Sequence, residues 1–179
     1  MILLALGLRA LPAPPPPKPL AEHQIKALYL FNFAKYVEWP KFAFPATNAP
    51  FIIGIKGNPD IVRDLSEITR GKLLKNRLIH IVSIETMQDH KGCQMIFIEG
   101  TDFPGIIHSL TGPSPKPVLT VGACDTFLNG GGIINFLKKD NTLRMEINLK
   151  NTHLAGLAVS SKLLAVATVK NNESNQPPP

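Results

Sequence analysis

Three short apolar runs constrain this chain more than anything else in it: "PFIIGIKG" (50–57), "CQMIFIEG" (93–100) and "KPVLTVGA" (116–123). Each is bounded by glycine, proline or polar residues and reads as a strand buried on both faces. "RLIHIVSI" (77–84) is a fourth strand. Helical segments lie between them. "NPDIVRDLSEITRG" (58–71) has Asn58 as N-cap, Pro59 at the first helical position and Gly71 just past the end. "TDFPGIIHSL" (101–110) is a brief helix. Strands alternating with helices predict a single α/β domain with a mostly parallel central sheet and helices on both faces. A C-terminal β-hairpin follows in "GGIINFLKKDNTLRMEINL" (131–149), turning at Lys139–Asp140–Asn141–Thr142. On its second strand Met145, Ile147 and Leu149 face one way and Arg144, Glu146 and Asn148 the other, which suits a sheet edge or an interface. "KNTHLAG" (150–156) reads as a helical turn closed by Gly156, and "SKLLAVATV" (161–169) as a last helix capped by Ser160 or Ser161.

Ahead of this pattern stands "EHQIKALYLFNFAKYVEW" (22–39), a helix apolar around most of its circumference. Gln24, Asn32 and Lys35 share one arc, and Lys26 is the outlier. Phe31 and Phe33 lie about 200° apart and so face different neighbours. Pro40 ends the helix, because the residue before a proline is pushed out of the α region. Trp39, the only tryptophan, is then expected at the helix end. Phe31, Phe33, Lys35 and Trp39 are candidate partner-contacting or structural residues, with a monomer core as the competing assignment.

The termini differ from the body. "MILLALGLRALPA" (1–13) is a signal-peptide-like apolar segment, too short to span a bilayer and lacking a basic start. Residues 14–21 form a Pro-rich linker with polyproline II character. The body is read as residues 22–169, and 170–179 as a disordered tail. The expectation is an exported protein without a membrane-spanning helix.

At 44% apolar and 18% charged residues the chain is a folded globular one. A net charge of +6 raises nucleic acid or an anionic surface as partners. Two of those charges, Arg9 and Lys18, precede residue 22, and no aromatic-basic reading surface is visible, so nucleic-acid binding is not expected. The one basic cluster, "RGKLLKNR" (70–77), reads as a solvated turn or strand end. Cys93 and Cys124 form no CxxC pair, and the five histidines show no metal-ligand spacing, so no metal or other cofactor is expected. No GxSxG, Walker loop or carboxylate pair is present, so the chain is not expected to be an enzyme. "NGGG" (129–132) precedes a strand and reads as a tight turn rather than a phosphate loop. Asn32, Asn135 and Asn148 sit inside apolar segments; buried structural amides and functional residues are equally open readings.

"KALYLFNFAKYVEWP", "GCQMIFI", "VLTVGACDTFLNGGGIINF", "LRMEINL" and "AGLAVSSKLLAVA", spaced along residues 22–169, together resemble the YfiR-like periplasmic proteins. The resemblance implies a small exported α/β domain that is not catalytic. It implies a repressor that binds the periplasmic sensor domain of a membrane-bound diguanylate cyclase, with release raising cyclic di-GMP and biofilm formation. The expected assembly is a homodimer. The alternative is a small-ligand-sensing periplasmic domain acting on a sensor kinase, with a pocket near Trp39. Family members rely on disulfides, whereas this chain has two cysteines only, which puts redox sensing in question.

Overall fold

The computed structural model describes residues 19–86, 89–112, 114–140 and 142–170. The leader at 1–13, most of the linker, Asn141 of the hairpin turn and all but the first residue of the tail lie outside them. Helix α1 (Glu22–Tyr36) is followed by a two-residue strand β1 (Val37–Glu38) and a 3₁₀ turn at Lys41–Ala43. Then come β2 (Phe51–Lys56), α2 (Pro59–Thr69), β3 (Leu73–Leu74), β4 (Arg77–Ser83), β5 (Met95–Ile98), α3 (Pro104–Thr111) and β6 (Leu119–Gly122). The C-terminal part holds β7 (Ile134–Lys139), β8 (Thr142–Asn148), α4 (Leu149–Leu154), β9 (Ala158–Val159), α5 (Ser161–Leu164) and β10 (Thr168–Lys170).

The main sheet has eight strands in the order β10-β8-β7-β6-β5-β2-β4-β3, and β1 pairs with β9 in a small second sheet. Strands β4, β2, β5, β6 and β7 run parallel; β7–β8 and β3–β4 are antiparallel hairpins. The apolar runs are continuous because alternate residues feed two layers. Phe51, Ile53, Met95, Phe97, Leu119 and Val121 meet α1, α2 and α5 on one face. Ile96, Ile98 and Val118 meet α3, Phe127 and Leu128 on the other. The fold is thus the α/β domain the alternation implies, with helices on both faces.

Three expectations are corrected. Helix α1 stops at Tyr36, because Val37, β-branched and fully buried, pairs with Val159 in β1–β9; Trp39 therefore lies three residues beyond the helix. The second hairpin strand is not the sheet edge: β10 pairs with it in parallel, Thr168 opposite Glu146. Asn148 ends β8 and doubles as the N-cap of α4, and Leu149 leaves the strand pattern as the first residue of α4. The helix expected over 161–169 closes after Leu164; Val166, Thr168 and Val169 favour extended backbone, and 168–170 supplies β10.

The "NGGG" turn has a packing cause. A Cβ on Gly132 would stand 2.2 Å from the Phe127 ring, and one on Gly130 would stand 2.4 Å from the Phe103 ring. These two rings, edge to face at 5.1 Å, plug the α3 layer, and only glycine lets the loop lie against them.

Candidate functional site

In this sheet the chain runs from β2 through α2 to β4, then crosses back over β2 to β5 and continues to β6 and β7. The reversal falls between β2 and β5. Open α/β sheets bind their ligands outside the carboxyl ends of the strands at such a switch point. Here the chain's own side chains fill that place. Glu99, following β5, accepts a hydrogen bond from Lys26 Nζ at 2.6 Å through Oε1 and one from Asn58 Nδ2 through Oε2. Asn58 Oδ1 in turn accepts from the Asp60 and Ile61 amides at 3.1 and 3.2 Å, occupying the first free donors of α2. Gly57, at φ +92°, permits the close approach: a Cβ there would lie 2.9 Å from the Glu99 carbonyl oxygen. The Asn58 carboxamide oxygen, braced by Glu99, thus takes the place an anionic ligand would hold at the α2 N-terminus.

Lys26, the outlier on the α1 wheel, is explained by this contact. It is 6% exposed, and it also pairs with Glu22 at 2.9 Å. Burial works to lower its pKa, but the hydrogen bonds to Glu99 and Glu22 outweigh that and hold the ammonium above its ordinary range. Glu22 is held below the usual carboxylate range by its hydrogen bonds to Lys26 and Lys138. Half-buried Lys56 and exposed Asp102 add a pair at 3.0 Å at the same sheet end.

Trp39 lies at the opposite end of the sheet. Its ring stands edge-on to Phe51 at 4.8 Å, and Nε1 donates to the Gln94 carbonyl at 2.9 Å. Gln94, buried, was not singled out in the sequence, although a glutamine at the head of a buried strand is a signal. Its Oε1 accepts from the Ile52 amide at 2.8 Å, and Nε2 donates to the Ala43 and Gly92 carbonyls at 3.0 Å. The carboxamide therefore ties β2, β5 and the turn after Trp39 together. The cavity beside Trp39 is about 50 Å³, lined by Ala34, Phe44, Phe51 and Leu74. That is small against the ~300 Å³ or more of drug-sized ligand sites.

The other candidates are dispersed. Phe33 is fully buried and stacks on Tyr29 and Phe136 at 6.1 and 5.7 Å. Phe31 is half-buried near the surface, beneath the ammonium groups of Lys35 and Lys72 at 5.5 and 5.0 Å. The two rings do face different neighbours. Lys35 is exposed. Asn135 and Asn148 are both 1% exposed: Asn135 Oδ1 accepts from the Cys124 amide at 3.2 Å, and Asn148 Oδ1 caps α4 through the Asn151 amide at 3.0 Å. Both amides thus do backbone work, and among the described residues Asn148 Nδ2 has no hydrogen-bond partner. Cys93 and Cys124 are free thiols, and burial pushes the Cys93 pKa up to about 11. Among the described residues no three His, Cys, Asp or Glu side chains are grouped to hold a metal ion, and no helix is long and apolar enough to cross a membrane.

Comparison with known proteins follows the same lines. The model of the YfiR/HmsC-like family matches residues 23–168. No curated protein matches the chain. Among solved structures, a crystal structure of a conserved domain protein from Vibrio cholerae O1 biovar El Tor str. N16961 is similar at a TM-score of 0.50 and 13% identity. The alignment covers 85% of this chain and 61% of that one, so this chain spans less than two thirds of its length. That likeness concerns the fold. The family match runs from the second residue of α1 to the first residue of β10, and the chain is a member of the YfiR/HmsC-like family.

Proposed function

We propose that this protein is a periplasmic regulatory binding protein that represses an inner-membrane signalling enzyme, a diguanylate cyclase, by engaging its periplasmic sensor domain, and that it works as a homodimer. The observation that carries this reading is the family match over residues 23–168. The family is one of periplasmic regulators in cyclic di-GMP signalling, and regulation rather than catalysis is what membership supports.

The closed switch point agrees with it. A nucleotide-handling enzyme on this fold would use the α2 N-terminus and the β2–β5 crevice for phosphate. In this chain Glu99, Lys26 and Asn58 occupy both. The test is direct binding: the purified protein against the isolated periplasmic domain of the membrane diguanylate cyclase encoded in the same genome, by calorimetry. A stoichiometric complex supports the proposal. The absence of any complex, with both proteins folded, overturns the assignment of the cyclase as target.

A further inference from the structure

Between α3, β6 and α4 lies a cavity of about 200 Å³. Its walls are aliphatic. Leu110 in the last turn of α3, Val118 just before β6 and Ile133 just before β7 are buried there. Leu154, the last residue of α4, also lines it and is 62% exposed, which puts it at the rim. Among the described residues no aromatic ring and no carboxylate lines it. Close-packed interiors leave few hollows larger than a water molecule, so a cavity of this size has to be accounted for. An apolar cavity of about 150 Å³ takes up benzene, so this one has room for about eight carbons at the same filling.

The polar side chains in the wall are of two kinds. Thr111 and Asn151 are spent on the chain: Thr111 Oγ1 donates to the Ile107 carbonyl at 3.0 Å, and Asn151 Nδ2 to the Gly132 carbonyl at 2.9 Å. Lys116 and Thr120, on the β6 side, keep donors in hand. Lys116 is exposed and makes no ion pair among the described residues. Thr120 is 3% exposed, and its Oγ1 accepts from the Ile133 amide at 3.1 Å. The Thr120 hydroxyl hydrogen then has no acceptor among the described residues. A buried donor calls for a partner, and a carboxylate is a group that only accepts.

We propose that this cavity binds a free aliphatic monocarboxylate of about eight carbons. Its chain lies against Leu110, Val118, Ile133 and Leu154, and its carboxylate takes the donors on the β6 side. The single lysine suits one negative charge, where a phosphate would call for a cluster of cations or a bidentate arginine. An aromatic acid would find no ring to stack on. The inference stands apart from the proposed repression of a cyclase, because binding is measured on the purified protein with no partner present.

The experiment is calorimetric titration of the purified protein with butanoate, octanoate, decanoate and 1-octanol. At the efficiency usual for small ligands, the roughly ten non-hydrogen atoms of octanoate give a Kd on the order of 0.1–1 mM. Each methylene removed weakens binding about four-fold, so butanoate binds roughly 200-fold more weakly. Decanoate, too long for the cavity, binds no tighter than octanoate. Lys116→Gln weakens octanoate about two- to five-fold and leaves octanol unchanged. Ala155→Leu places a larger side chain in the cavity wall and abolishes binding of both. Circular dichroism checks that each variant is folded, and the chain-length series and exposed Lys116 keep the test open should Ala155→Leu misfold. No binding of octanoate at concentrations well above that Kd overturns the proposal. So does affinity that keeps rising to decanoate, octanol binding as tightly as octanoate, or a folded Ala155→Leu variant that binds as before.

Discussion

Replacing Glu99 by alanine probes the closed switch point most sharply. The substitution leaves the Lys26 ammonium buried with Glu22 as its one remaining ion-pair partner among the described residues. Removing one member of a buried ion pair costs about 3–5 kcal/mol. Two features reduce that here: the Glu99 side chain is 29% exposed, and Glu22 continues to pair with Lys26. A loss of about 2–3 kcal/mol is expected, a fall in Tm of roughly 5–10 °C for a domain this size. Lys26→Met behaves differently. It fills the same space with an apolar chain and leaves Glu99 and Glu22 able to reach water, so its cost is under ~1 kcal/mol. In the Lys26→Met background Glu99→Ala should then add almost nothing, which gives a large coupling in a double-mutant cycle. Urea melts of the four proteins measure this. Equal costs for the two single variants, or additive effects in the double, would refute the idea that Glu99 is there to hold a buried lysine.

Further outcomes follow from the same packing. Gln94→Ala strips partners from the part-buried Ile52 amide and the Ala43 carbonyl and should cost about 2–4 kcal/mol by urea melt, whereas Trp39→Phe, which keeps the ring on Phe51, should cost about 1 kcal/mol. Gly122→Ala drives a methyl to within 2.5 Å of several Phe127 ring atoms in a fully buried strand, and a destabilisation of about 1–3 kcal/mol or more is expected. Cys124→Ser, and added reductant, should each move Tm by no more than about 2 °C, because both thiols are free. The pH profile has two arms. Glu22 and Asp64 have folded pKa values below their ordinary 4.5 and 3.8, so their contribution is present above those values and is lost as pH falls through the folded pKa. Lys26 has a folded pKa above 10.5, so its contribution is complete below that and is lost as pH rises further; Lys26→Met should flatten the alkaline arm and, because Lys26 is the largest cause of the lowered Glu22 pKa, weaken the acid arm too.

The parallel sheet was legible because doubly buried strands leave short unbroken apolar runs, and β2, β5 and β6 have nothing else to be. Helix α2 was legible down to its caps, since Asn58-Pro59 and Gly71 are local signals. What failed was the chain after residue 148. Strand β10 exists only because β8 offers it an edge, and "LLAVATV" carries no local sign of that pairing. Trp39 was misplaced for a similar reason: the β1–β9 bridge, which stops α1 early, joins residues more than a hundred positions apart. The switch point was half visible. Lys26 was out of place on its helix, but its partner lies 73 residues away and is an ordinary glutamate at a strand end. Of the candidate residues, Asn135 and Asn148 are buried amides on the backbone, and Phe33 belongs to the core. Phe31 and Lys35 lie near or at the surface, where Lys72 of the basic hairpin also reaches Phe31.

A role in regulating cyclic di-GMP signalling is open to measurement inside the cell. Cyclic di-GMP should be measured in the native organism with the gene intact, deleted, and restored on a plasmid. Deletion should raise cyclic di-GMP, restoration should return it to the starting level, and the rise should disappear when the target cyclase is deleted as well. Cyclic di-GMP unchanged by the deletion would contradict that role.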